Sequence, residues 1–168
     1  MDFLIILVFF LVVLIIVYNV FLVLLDKKIK KLEIVILKAF NKRGNLIPSL
    51  YDVTKNYVSK HDEIFSEILS LRNKNLTSYD WDFLKKVNEE IYIHHEINFI
   101  FKVANKHPKI QKDSKFLLVR DLFLENSFEI WEKIKLYKII SKKFNNLLVL
   151  KNFTIIWWFL DIQKKDEI

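Results

Sequence analysis

The chain has 168 residues and a formal net charge of +7, with a single glycine, two prolines and no cysteine. The missing thiols exclude disulfides, iron–sulfur clusters and thiolate-ligated zinc. One glycine excludes the Gly-rich loops whose amides close on a phosphate, and the paired glycines of a hydrolase nucleophile elbow.

The chain opens with FLIILVFFLVVLIIVYNVFLVLL, Phe3 to Leu25, 23 residues without a charge and with only Tyr18 and Asn19 as polar breaks. A helix needs about 20 residues to cross the ~30 Å hydrocarbon layer. A cleaved signal would need a basic start, a shorter apolar core and a small-residue cleavage site, and none is present. The run reads as an uncleaved transmembrane anchor over residues 1–26. Lys27, Lys28, Lys30 and Lys31 follow it, whereas its other side carries only Asp2 and the terminal amine. The positive-inside rule then predicts a single-pass protein of the cell (inner) membrane, with its N-terminus outside and residues 27 onward in the cytoplasm. The same lysines are candidate contacts for anionic lipid headgroups, at about 1 kcal/mol each near the surface.

Residues 27–150 read as a cytoplasmic helical bundle, because apolar side chains recur at helical spacing and no stretch alternates with period two. Ile29, Leu32, Ile36 and Phe40 mark a helix over 27–43. Leu50, Val53, Tyr57, Ile64, Ile68 and Leu71 mark one over 50–72. Phe83, Val87, Ile91, Ile97, Phe101 and Ala104 mark one over 81–104. Phe116, Phe123, Ile130, Ile134, Tyr137, Phe144 and Leu148 follow coiled-coil spacing over 114–150, with Ser127 and Ser141 on the same seam as packing residues. Pro108 lies in the loop before this helix, and Asp113 or Ser114 is its expected N-cap.

The stretch KRGNLIPSL, residues 42–50, holds the glycine and one of the prolines. Gly44 suits a left-handed C-cap, Asn45 an N-cap and Pro48 a first helical turn, which predicts a break where the chain reverses. The alternative is one long helix kinked at Pro48. Reversal would give four passes and return the tail to the bilayer. The tail, residues 151–168, includes Phe153, Trp157 and Trp158, suited to the headgroup level, followed by Lys164 and Lys165.

The best case for chemistry is EEIYIHHEI, with Glu89, Glu90, His94, His95 and Glu96 on one helix. Glu90 and His94 share a face, but neither E-x-x-H nor H-E-x-x-H occurs, so His94 is expected to be hydrogen-bonded within the bundle and His61 to be a satisfied or rim histidine. Asp80 and Asp82 flank Trp81 at a helix start, where acids suit the dipole. The lysines follow no nucleic-acid-binding motif.

KRGNLIPSLYDVTKNY, after an N-terminal span and a basic juxtamembrane helix, resembles a segment of the LemA family of bacterial membrane proteins, of the form RRxDLIPxLVxxVKxY. Lys42, Arg43, Leu46, Ile47, Pro48, Leu50, Lys55 and Tyr57 match it, and Arg72 falls where the family carries an arginine. Pro108, Phe116 and Leu117 match a second segment, ExYPxLKANxxFxxLQxxL; Ile130, Tyr137 and Asn145 fall in register with a third. Asn45 replaces an Asp, Leu37 stands where an acid is common, Lys109 and Lys112 change the loop, and Ser127-Phe128 replaces a Glu-Asn pair. The resemblance implies an all-α, membrane-anchored antiparallel bundle of three or four long helices, without known catalysis, cofactor or metal. It also implies a membrane-associated partner, such as a membrane protease, whose genes often neighbour those of the family. The function expected is that of a non-catalytic scaffold or interaction protein; the alternative is a basic module binding anionic lipid or nucleic acid.

Overall fold

The computed structural model describes residues 2–58, 62–77, 82–149 and 164–165. It is an all-α bundle with a long apolar helix at the N-terminus. The helices are α1 (Asp2–Gly44), α2 (Ile47–Val58), α3 (Asp62–Thr77), α4 (Phe83–Ala104) and α5 (Ser114–Leu148), with a 3-10 turn at Ile110–Lys112. There is no strand among the described residues. The chain divides into two compact units, one of Met1–Ile34 with Ile134–Ile168, the other of Val35–Lys133.

In the first unit α1 and the end of α5 run antiparallel. The Tyr18 hydroxyl donates to the Leu147 carbonyl (2.5 Å), the Lys143 ammonium lies 5.7 Å from the Phe21 ring, and the Tyr137 hydroxyl donates to Glu33 (3.4 Å). Leu22, Ile29, Tyr137 and Phe144 are buried between them. Most of the rest of the apolar run is exposed, from Phe3 to Leu24, with Asn19 buried and Ile15, Tyr18 and Val23 half-buried. With a mean hydropathy of 3.2 over its most apolar 18 residues, this is a helix long and apolar enough to cross a membrane. Asp26, just past the run, is paired with Lys30 (2.8 Å) and Lys165 (3.2 Å).

The second unit packs the end of α1, α2, α3, α4 and the first half of α5 around Ile47, Leu50, Phe65, Ile68, Ile97, Ile100, Phe101, Phe116 and Phe123. Phe101 meets Phe116 and Phe123 edge-on, at ring separations of 6.2 and 5.5 Å. The apolar seam predicted on α5 is the one buried: Phe116, Phe123, Ile130 and Ile134 are at most 3% exposed. The starts of α4 and α5 are capped by acids, which take up orphan amides. Asp82 accepts from the Lys85 amide (3.0 Å), and Asp113 from the amides of Lys115 (2.9 Å) and Phe116 (3.1 Å).

The 42–50 stretch departs from the expected reversal. Gly44 belongs to α1, and no residue there has a positive φ. The Asn45 amide still donates to the Asn41 carbonyl (3.0 Å) and the Leu46 amide to that of Arg43 (3.0 Å), so the helix tightens and restarts. Asn45 is not the cap; its side-chain carbonyl accepts from Arg72 (2.9 Å). Pro48 does occupy the first turn of α2, where it forfeits no hydrogen bond. Arg43 lies opposite Ser127 of α5, and Ser49–Tyr57 lie along Asp113–Val119, so α2 continues onward in the direction of α1. The expected single helix over 50–72 is two helices. α3 runs back until Arg72 meets Asn45, so the reversal separates α2 from α3 and does not fall at Gly44.

A glycine in a right-handed helix costs about 0.5–1 kcal/mol relative to alanine. A Cβ at Gly44 would meet the Arg72 side chain at an ordinary 3.8 Å. Gly44→Ala is therefore expected to stabilise the protein by about 0.5–1 kcal/mol, measured by denaturant unfolding in detergent; a loss of stability would restore the left-handed cap.

Candidate functional site

The helical spacing that builds the seams of α1, α4 and α5 also puts polar residues on them. Arg43 follows Ile36 and Phe40 on α1; Glu90 and His94 fall between Val87 and Ile97 on α4; Ser127 falls between Phe123 and Ile130 on α5. All of these but His94 are buried, Arg43 to within 1% of complete.

Arg43 is the hub. One guanidinium nitrogen donates to the Glu90 carboxylate (2.7 Å) and to the Glu90 carbonyl (3.1 Å); the other donates to the Ser127 hydroxyl (3.3 Å). The Phe40 and Phe123 rings lie 6.0 and 5.4 Å from its central carbon, within reach of a cation–π attraction. Its Nε has no acceptor among the described residues. Burial pushes the Glu90 carboxyl above the usual range; Arg43 pulls it down, but by less.

His94 lies beside this cluster. Its ring stacks on Phe123 (6.4 Å, 9° between planes) and meets Trp131 edge-on at 5.6 Å. Asn98 Nδ2 is 2.9 Å from its Nε2, so Nε2 accepts and the proton sits on Nδ1, which has no partner among the described residues. Burial first, then the charges of Arg43 and His95, bring its pKa down to about 4, so the ring is neutral at pH 7.

The sequence brings Glu90 and His94 to one helix face, and the structure gives them different partners. Glu90 is committed to Arg43, and His94 is bonded within the bundle as expected. No three His, Asp or Glu side chains are placed to hold a metal ion among the described residues. Asp82 is a cap, and Ser141 packs with its hydroxyl on the Lys138 carbonyl (3.3 Å). His61, Asp80, Trp81, Trp157 and Trp158 lie outside the described residues. The role of Arg43 was not anticipated from sequence. The signal for it was present: a basic residue on the apolar seam of one helix and an acid on that of another.

On the outside of the second unit, α2 and the start of α5 form an open groove of about 500 Å³ lined by Ser49, Asp52, Asn56, Tyr57, Lys115 and Leu118.

A model described as the LemA family matches residues 34–160, well over half the chain. No curated protein matches it.

Breaking a buried ion pair from one side costs about 3–5 kcal/mol, because a charge is left without its partner. Glu90→Leu is expected to lose about that much, and Arg43→Met with Glu90→Leu to lose less than Glu90→Leu alone; equilibrium unfolding of the set checks it. The unfolded His94 titrates near 6.5 and the folded one near 4, so the folded state binds fewer protons in between. Stability should fall as pH drops through that window. Glu90 contributes in the opposite sense, so the readout is the difference between the wild-type and His94→Phe unfolding curves, which should widen in the variant's favour as pH falls from 7 to 4.

Proposed function

The chain belongs to the LemA family, and on that premise we propose that it is a single-pass, membrane-anchored interaction protein without catalysis of its own. α1 holds it in the bilayer, residues 27 onward lie in the cytoplasm, and the second unit offers its outer helix faces to a membrane-associated protein. The reading is carried by how the candidate chemical groups are spent. Glu90 and Ser127 hold Arg43, and Asn98 holds His94. Groups that fix three helices in register are poorly placed to exchange protons with a substrate.

The outer faces support a protein partner. Residues 35–133 carry sixteen basic and fourteen acidic side chains, a near balance and not the strong basic excess that favours nucleic acid. Leu118, 62% exposed, stands at the rim of the α2–α5 groove among Asp52, Asn56 and Lys115. An apolar side chain ringed by polar groups is the usual make-up of a docking spot. The remaining lipid reading draws on the other unit, where eleven basic side chains face six acidic ones.

A photo-crosslinking residue at Asn56, in the full-length chain in its own membranes, should give a discrete protein adduct. That adduct should disappear when Leu118→Lys is added, and be absent from the same probe at Lys102. Equal products at both positions, or none at Asn56, would overturn the groove as the docking site.

A further inference from the structure

We infer that the C-terminal end of α5 and the residue after it, residues 138–149, form a second membrane-contacting element that seats on anionic phospholipid beside the span. The inference rests on the reading of α1 as membrane-spanning. At about 1.5 Å per residue, a ~30 Å hydrocarbon layer takes up about 20 residues. If that layer begins at Phe3, its cytoplasmic boundary falls near Leu22, and Tyr18 lies about 6 Å inside it. The Tyr18 hydroxyl donates to the carbonyl of Leu147. The last turn of α5 is therefore at hydrocarbon depth, not merely near the surface.

The chemistry of that turn suits the position. The final carbonyls of a helix lack intrahelical donors, and in hydrocarbon no water replaces them. A tyrosine hydroxyl from the span supplies one. Val149, 68% exposed, has a side chain that tolerates lipid at this level. One helical turn back, the side chains change from apolar to basic. Lys143 lies over Phe21, at the hydrocarbon boundary, where a long aliphatic stem can carry its ammonium outward to the headgroups. Lys138 and Lys142 are exposed on the same helix, and Lys27, Lys28 and Lys31 are exposed on α1. Two antiparallel helices thus place lysines in one layer, and Asp26, the acid beside it, is already neutralised by Lys30 and Lys165. An anionic phospholipid headgroup is the complement of that layer.

The test uses the full chain in vesicles of phosphatidylcholine and phosphatidylglycerol, with bimane on single cysteines at Val12, Lys135 or Val149. Nitroxides on the lipid, either at the headgroup or near the chain ends, report depth. Val12 and Val149 should both be quenched by the deep nitroxide, Val149 also by the shallow one, and Lys135 by neither. A Val149 label quenched no more than Lys135, while Val12 is quenched, would overturn the inference and leave the spanning helix intact. An unquenched Val12 would remove the spanning reading itself, and this inference with it. In the same vesicles, enrichment of spin-labelled phosphatidylglycerol around the protein should drop towards that of phosphatidylcholine when Lys138, Lys142 and Lys143 are replaced by Gln. Unchanged enrichment would overturn the assignment of headgroups to these lysines.

Discussion

A guanidinium buried to 1% exposure in an apolar seam constrains everything packed around it. Removing such an ion from water costs several kcal/mol, recovered only where hydrogen bonds and an opposite charge meet it in good geometry. Arg43 finds these on two other helices, Glu90 on α4 and Ser127 on α5, with Phe123 against its face. Apolar contacts tolerate a slide of one turn; this set does not. Leu, Ile and Phe supply the driving force for the second unit, and Arg43 supplies the register in which they pack. Burial keeps His94 neutral, and Arg43 adds to it, since a second cation there would face the first.

Charge is divided along the chain in a way the total conceals. Most of the excess positive charge belongs to the unit that contains the apolar run. The other unit is nearly balanced, and its surface pairs are local ones, such as Lys55 with Asp52 and Lys133 with Glu129. Pairs this exposed contribute little to stability; their effect is to keep the surface mixed. A protein divided this way can hold to lipid with one part and keep the other free of non-specific attraction to polyanions.

Much of this was legible in the sequence, and for identifiable reasons. The long apolar helix, the α5 seam and the Asp113 cap depend on local spacing and local hydrogen bonding, which a sequence displays directly. Gly44 misled because glycine permits a left-handed cap without requiring one; here the Asn45 amide continues the right-handed ladder to the Asn41 carbonyl. The apolar spacing of α2 and α3 stays in phase, so the sequence reads the two helices as one over 50–72. Arg43 could not be placed with certainty because a charge on a seam is buried only if another seam presents its complement, and pairing of seams is not a property of either helix alone.

The Arg43–Glu90 pair also bears on how such a chain can drift. Its two members are not equivalent when one is lost. A lineage that loses Arg43 first is left with a carboxyl whose burial already favours the protonated form. That group can stay inside as a neutral acid until a later change replaces it. A lineage that loses Glu90 first is left with a guanidinium that cannot discharge. It must be expelled or quickly re-partnered. Replacement of this polar cluster by an apolar one is therefore a path with a direction, open through the arginine and nearly closed through the glutamate.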